Sequence, residues 1–163
     1  MNVTRHLAAA SFAFALTATT GALAAQSSIP VGTLTISAPF GSSPVLAWSW
    51  GASNSGTVNG GAGGGSGKTN IQDLSLTRYA DGQSALLFKA VARGQHLAKV
   101  VLVDGSTTIT LTEVVVTSYS TGDSSPEGKA TTRIENITFG FGAMTYTVNG
   151  VTTCFSPSTQ SSC

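Results

Sequence analysis

From residue 32 onward this chain repeats one pattern: short runs of alternating polar and apolar residues, rich in Thr, Val and Ile, broken by Gly, Pro, Asn and Asp. Period-two alternation puts successive side chains on opposite faces of an extended backbone, so each run offers one face to a core and one to water. Short antiparallel strands are the structure that such a chain permits. The runs are Gly32 to Ser37, Val45 to Gly51, Ile71 to Tyr79, Ala98 to Val103, Thr107 to Tyr119, Thr131 to Phe141, Ala143 to Val148 and Val151 to Cys154.

Two of the connections read as hairpins. Asp104-Gly105-Ser106 and Asn149-Gly150 place residues that tolerate positive φ between alternating runs. In Thr107 to Tyr119, Ile109 and Leu111 share one parity while Val114 and Val116 share the other, so a bulge near Thr112 and Glu113 is needed to restore one apolar face. One segment breaks the rhythm. Ser84 to Arg93 carries Leu86, Leu87, Ala90 and Val91 at helical spacing, with Ser84 as the expected N-cap and Gly94 as the terminating residue. The expected architecture is mainly β: an antiparallel barrel of two sheets with one short α-helix, because closure removes exposed strand edges.

Residues 1–24 read as a secretory signal and are set apart from the fold. Arg5 and His6 form a basic start, Leu7 to Leu16 is apolar apart from Ser11, and Ala22-Leu23-Ala24 puts small residues where signal peptidase reads. Cleavage is expected after Ala24, leaving a domain over 25–154 and a tail over 155–163. The apolar run is too short to cross a bilayer as a helix, and the alternative is a retained N-terminal anchor. Export by this route leads to the periplasm or the extracellular space, with no membrane attachment after cleavage.

Export bears on the two cysteines, Cys154 and Cys163. In an oxidising compartment they are expected to form a disulfide that closes the tail, the alternative being two free thiols. Two Cys with a distant His96 do not reach the four ligands of a structural zinc site, and no metal is expected.

Charge narrows the function classes. The chain of 163 residues has 8 basic and 7 acidic side chains, only 9% charged, with no basic cluster. Nucleic-acid affinity rests on clustered Lys and Arg, so no nucleic-acid partner is expected. Ala62 to Thr69 (Ala-Gly-Gly-Gly-Ser-Gly-Lys-Thr) satisfies the relaxed phosphate-loop pattern, and Lys99 to Asp104 imitates the apolar strand ending in an acidic metal ligand. A phosphate loop must leave a buried strand and open a helix, whereas the residues before Ala62 are Asn, Ser, Gly and Thr and those after Thr69 alternate. No nucleotide or other cofactor is expected. Gly122-Asp123-Ser124 lacks a following Gly, no Gly-x-Ser-x-Gly elbow is present, and the carboxylates show no pairing in sequence. A non-enzymatic role follows.

There remains Gly51 to Lys68, with Gly at 51, 56, 60, 61, 63, 64, 65 and 67 and no charge before Lys68. By composition it is a long mobile loop unless a partner orders it. Val45-Leu46-Ala47-Trp48-Ser49-Trp50-Gly51, the glycine-rich insert ending Gly67-Lys68, and Ile71-Gln72-Asp73-Leu74-Ser75-Leu76-Thr77-Arg78-Tyr79 together resemble the haemolysin-coregulated protein family, Hcp, the tube subunit of type VI secretion systems. The likeness continues in order through the short helix, Leu111 to Val116, Ser120-Thr121-Gly122 and Glu135 to Phe139.

The resemblance implies a two-sheet barrel that assembles with itself as a hexameric ring, rings that stack into a tube, and a lumen able to hold a small protein cargo. It implies that the glycine-rich loop, here Ala52, Gly56, Gly60, Gly61, Gly63, Gly64, Gly65 and Gly67, projects to the adjacent ring. The sequence departs from the family in its signal-like start, in an uncharged segment over 25–44, and in the Cys pair. An exported β-barrel acting as a binding or adhesive module outside a secretion machine is the alternative.

Overall fold

The computed structural model describes residues 29–56, 67–122 and 133–163. The signal-like segment 1–24, Gly60, Gly61, Gly63, Gly64 and Gly65, and Asp123 and Ser124 lie outside them. Among the described residues eleven strands and one helix follow one another: β1 Gly32–Ile36, β2 Gly41–Val45, β3 Ala47–Ser49, β4 Ala52–Asn54, β5 Thr69–Ile71, β6 Leu74–Tyr79, α1 Ser84–Arg93, β7 His96–Asp104, β8 Thr107–Gly122, β9 Ile134–Gly140, β10 Ala143–Val148 and β11 Val151–Phe155. Every strand pairing is antiparallel. The mainly β architecture with one helix is as the alternation implies.

β8 is the spine. Its first half pairs with β7 along one edge and with β10 along the other, since Ile109 is opposite both Leu102 and Tyr146. Its second half pairs with β9 on that same further edge. β9 and β10 are thus consecutive pieces laid along one strand, separated at Phe141-Gly142, where the Gly142 N–H donates to the carbonyls of Thr112 and Glu113. A Cβ at Gly142 would run into the Glu113 side chain, so this corner requires glycine.

The parity reversal in β8 occurs where the sequence demands it. Glu113 has φ of 52°, and Thr112 and Glu113 are both exposed between buried Leu111 and buried Val114. The register with β7 does not slip there, because β7 reverses as well: Leu97 and Val100 are buried across exposed Ala98 and Lys99. A true register shift comes later, between Val116 and Ser118 against β9.

The ladder runs β2-β1-β7-β8-β9-β6-β3 with β10 and β11 branching from β8, and it is not closed into a barrel. β2 and β3 stand at its two ends. β2 and β3 are successive pieces of chain joined by Leu46, whose N–H donates to the Thr77 carbonyl of β6. The sheet therefore curves round a single core, to which β1, β2, β6, β7, β8, β9 and β10 all contribute buried apolar side chains. α1 packs on β8 through Leu87 and Ala90.

Local chemistry explains the remaining differences. Gly41–Val45 is a strand despite Pro44, which its edge position tolerates. Ser84 is the first helical residue, not the cap: its hydroxyl accepts the Asp81 N–H, while the Asp81 carboxylate accepts the Gln83 N–H. Gly94 ends the helix in the left-handed region, φ 59°, as expected. The first hairpin turns on Gly105-Ser106, with Asp104 already paired to Thr107; the second turns on Asn149-Gly150, both at positive φ.

Candidate functional site: an exposed arm and its root

The base of the glycine-rich segment is not free loop. Ala52, Ser53 and Asn54 pair with Ile71, Asn70 and Thr69, making a two-stranded ribbon separate from the main sheet. It extends the β3–β6 hairpin. Ser49 is opposite Ser75 and Ala52 is opposite Ile71, so two residues on one side face three on the other, and this slip detaches the ribbon from the sheet. The Gln72 N–H, donating to the Gly51 carbonyl, bridges the slip.

Beyond the ribbon the two chains stay close. The Ser55 N–H donates to the Lys68 carbonyl, the Lys68 N–H to Ser55 Oγ at 3.0 Å, and the Gly56 N–H to Asn54 Oδ1 at 2.7 Å. A side chain at Gly67 would collide with the backbone of Ser55 and Gly56, so Gly67 is where the arm admits nothing larger. β4 and residues 55–56 are wholly exposed, and Lys68 carries the arm's one charge among the described residues. Lys68 and Thr69 lead into a strand rather than a helix, which is the wrong context for a phosphate loop.

Three contacts fasten the root. Trp48 and Trp50 share a parity, and both pack against the core. The Trp48 indole N–H donates to Asp104 Oδ2 at 2.8 Å, tying β3 to the β7–β8 turn. Trp50 meets Tyr146 of β10 edge to face, ring centres 5.1 Å apart. The Thr69 N–H donates to Gln160 Oε1 at 2.9 Å. Gln160 belongs to the loop closed by the Cys154–Cys163 disulfide, which is present as expected.

A second cluster escaped the reading of the carboxylates. Arg78 and Glu135, both fully buried, are joined at 2.6 Å, and Asp81 reaches the same guanidinium at 2.8 Å. Ser43 accepts from Arg78 as well, and the Tyr119 hydroxyl donates to Glu135 at 2.8 Å. Burial pushes the Tyr119 hydroxyl above its ordinary pKa, and its bond to Glu135 and that residue's charge add to the shift. The signal was there in the strands: Arg78 continues the inward parity of Leu74 and Leu76, and Glu135 that of Ile137 and Phe139. The network joins side chains of β2, β6, β8 and β9 with Asp81.

The geometry thus comprises a curved sheet, a separately paired arm with Lys68 as its one charge among the described residues, and a disulfide-closed tail. A family model described as "Type VI secretion system effector, Hcp" matches residues 31–148. The chain belongs to the Hcp family. It is 43% identical over 83 residues to the protein hcp1 of Pseudomonas aeruginosa, a match that takes in 45% of this chain and 49% of that relative. The chain thus spans about half the length of this curated Hcp relative. Its fold is similar to a solved type six secretion system protein (TM-score 0.71, 21% identity, 82% of this chain and 99% of that one). It is similar likewise to Hcp1 of Salmonella typhimurium (TM-score 0.67, 20% identity, 83% and 100%). The arm's described residues lie within the matched residues, whereas the disulfide lies outside them. No described helix is long and apolar enough to cross a membrane.

Proposed function

We propose that this Hcp protein is a structural subunit that assembles with itself as a hexameric ring, the rings stacking into a tube through the arm built on β4 and β5. One observation carries the reading: the arm is built on a separately paired ribbon, β4 exposed and both strands without charge, standing off the curved sheet, with Lys68 the one charge beside it among the described residues. Such a ribbon has backbone groups to offer a neighbouring subunit and little charge to repel it. Ala52, Gly56 and Gly67 belong to its described part, and Gly60, Gly61, Gly63, Gly64 and Gly65 to the same contact. Residues 1–24 act as a cleaved signal, the mature chain works in the periplasm or outside the cell, and the lumen of the tube holds a small protein cargo. The role needs neither catalysis nor a cofactor.

Light scattering and electron microscopy of the chain beginning at Ala25 test this. Rings of six that stack are expected. Deleting Gly60 to Gly65 is expected to leave rings and fold intact, since shortening a loop changes closure entropy little, while abolishing stacks. A strict monomer at high micromolar concentration overturns the ring.

The disulfide favours a second reading, an exported binding or adhesive module outside a secretion machine, because such bonds persist in oxidising compartments. Neighbouring genes for a contractile sheath and spike decide between the two.

A further inference from the structure

The tail and the arm meet through one side chain. Cys154 lies in β11 opposite Thr145 of β10, so its place is set by the sheet, while Cys163 lies in the exposed tail. Between them the Ser156 N–H donates to the Ser161 carbonyl at 2.8 Å, and Gln160 takes a left-handed backbone, φ 54°. Gln160 Nε2 donates to the Pro157 carbonyl at 2.7 Å, which turns Oε1 away from the loop and toward β5, where it accepts the Thr69 N–H at 2.9 Å. Thr69 is the first residue of β5, and its hydroxyl accepts from Asn54 Nδ2 of β4 at 3.1 Å, so this bond holds both strands of the arm.

We propose that the Cys154–Cys163 disulfide is a redox-controlled brace: oxidised, it holds Gln160 on Thr69 and orders the arm against the body, and its reduction releases the arm. Beyond Phe155, which ends β11 opposite Met144, no tail residue among those described is buried in the core. Residues 158–163 are all exposed, and what holds them besides the disulfide is one backbone pairing and hydrogen bonds between exposed groups, for which water competes. A covalent loop closed nine residues apart removes most of the alternative tail conformations that would carry Gln160 away. The left-handed backbone at Gln160 depends on that closure, since a side-chain-bearing residue prefers other regions once free.

The reductant is a dithiol. Its thiolate attacks the exposed Cys163 sulfur, the sulfur–sulfur bond breaks, and Cys154 leaves as a thiolate that takes a proton. The second thiol of the reductant then attacks its own sulfur in the mixed disulfide and frees Cys163 as a thiol. Two electrons and two protons pass to the protein, and the dithiol becomes a disulfide. The inference concerns the order of the arm within one chain, and it holds whether or not rings stack.

Amide hydrogen exchange followed by NMR on the full chain, dilute enough to be unassembled, tests it. Reduction with dithiothreitol is expected to speed exchange at Thr69 about tenfold, the loss of one bond that orders a local segment, while amides of the β7–β8 ladder keep their rates. Gln160→Ala is expected to give the same acceleration in the oxidised protein, with nothing added by reduction. The double variant C154S/C163S is expected to behave as the reduced protein, and if it does not fold, reduction of the wild type still decides. Equal Thr69 rates in the oxidised and reduced wild type overturn the proposal, as does an oxidised Gln160→Ala protein that exchanges like wild type.

Discussion

Arg78 Nε donates to Glu135 Oε1 at 2.6 Å between adjacent strands, with both side chains at 0% exposure. An ion pair so placed has given up its water on both sides and depends on its partners, Asp81 and Ser43 on Arg78 and Tyr119 on Glu135.

Removing one partner leaves the other charge buried. Arg78→Met, which leaves Glu135 buried with no counter-ion, is therefore expected to destabilise the fold by about 3 to 5 kcal/mol, Glu135→Gln by less because Asp81 still pairs with Arg78, and the double change to apolar residues of similar volume least of all. Urea unfolding of the single and double variants measures this. A double variant as unstable as the sum of the singles refutes the pairing.

Tyr119 adds a pH dependence. Its folded-state pKa lies above the ordinary value of 10.0, first through burial and then through Glu135. The folded state thus favours the protonated hydroxyl. Its contribution to stability is fully present below pH 10 and is lost as pH rises from there through the folded pKa. Stability followed from pH 9 to 11.5 is expected to fall, and Tyr119→Phe is expected to flatten that fall while lowering stability near neutrality.

Gly67 admits no side chain beside Ser55 and Gly56. Gly67→Ala is expected to splay the arm beyond β4 and β5 with a change of under about 1 kcal/mol in global stability, because the arm buries no core residue. Thermal unfolding checks the second part. Amide hydrogen exchange at Ser55 and Lys68, whose N–H groups cross-link the arm, checks the first and is expected to quicken.

Trp48 carries both packing and a hydrogen bond to Asp104. Trp48→Phe keeps much of the apolar body but leaves the carboxylate without its donor, and a loss of about 1 to 2 kcal/mol is expected. Asp104→Asn retains an acceptor oxygen and is expected to cost less. Denaturant unfolding of the two variants distinguishes them.

What could be read from the residues in order was whatever local geometry imposes. Period-two runs give strands, Leu87 and Ala90 at helical spacing give α1, Asn149-Gly150 and Gly94 supply positive φ, and the parity reversal of Ile109–Leu111 against Val114–Val116 demands the kink found at Glu113. The family, too, was legible in ordered motifs. Tertiary structure alone decided the pairings between distant residues: Arg78 with Glu135 and Asp81, Trp48 with Asp104, Trp50 with Tyr146, and Thr69 with Gln160. It also decided that the sheet ends at β2 and β3 without a closing ladder, and that Ala52–Asn54 is a strand. The reason is physical. A strand's alternation states which face is buried but not which strand lies beside it, and a three-residue run such as Ala-Ser-Asn becomes extended only because Thr69–Ile71 is there to take its hydrogen bonds.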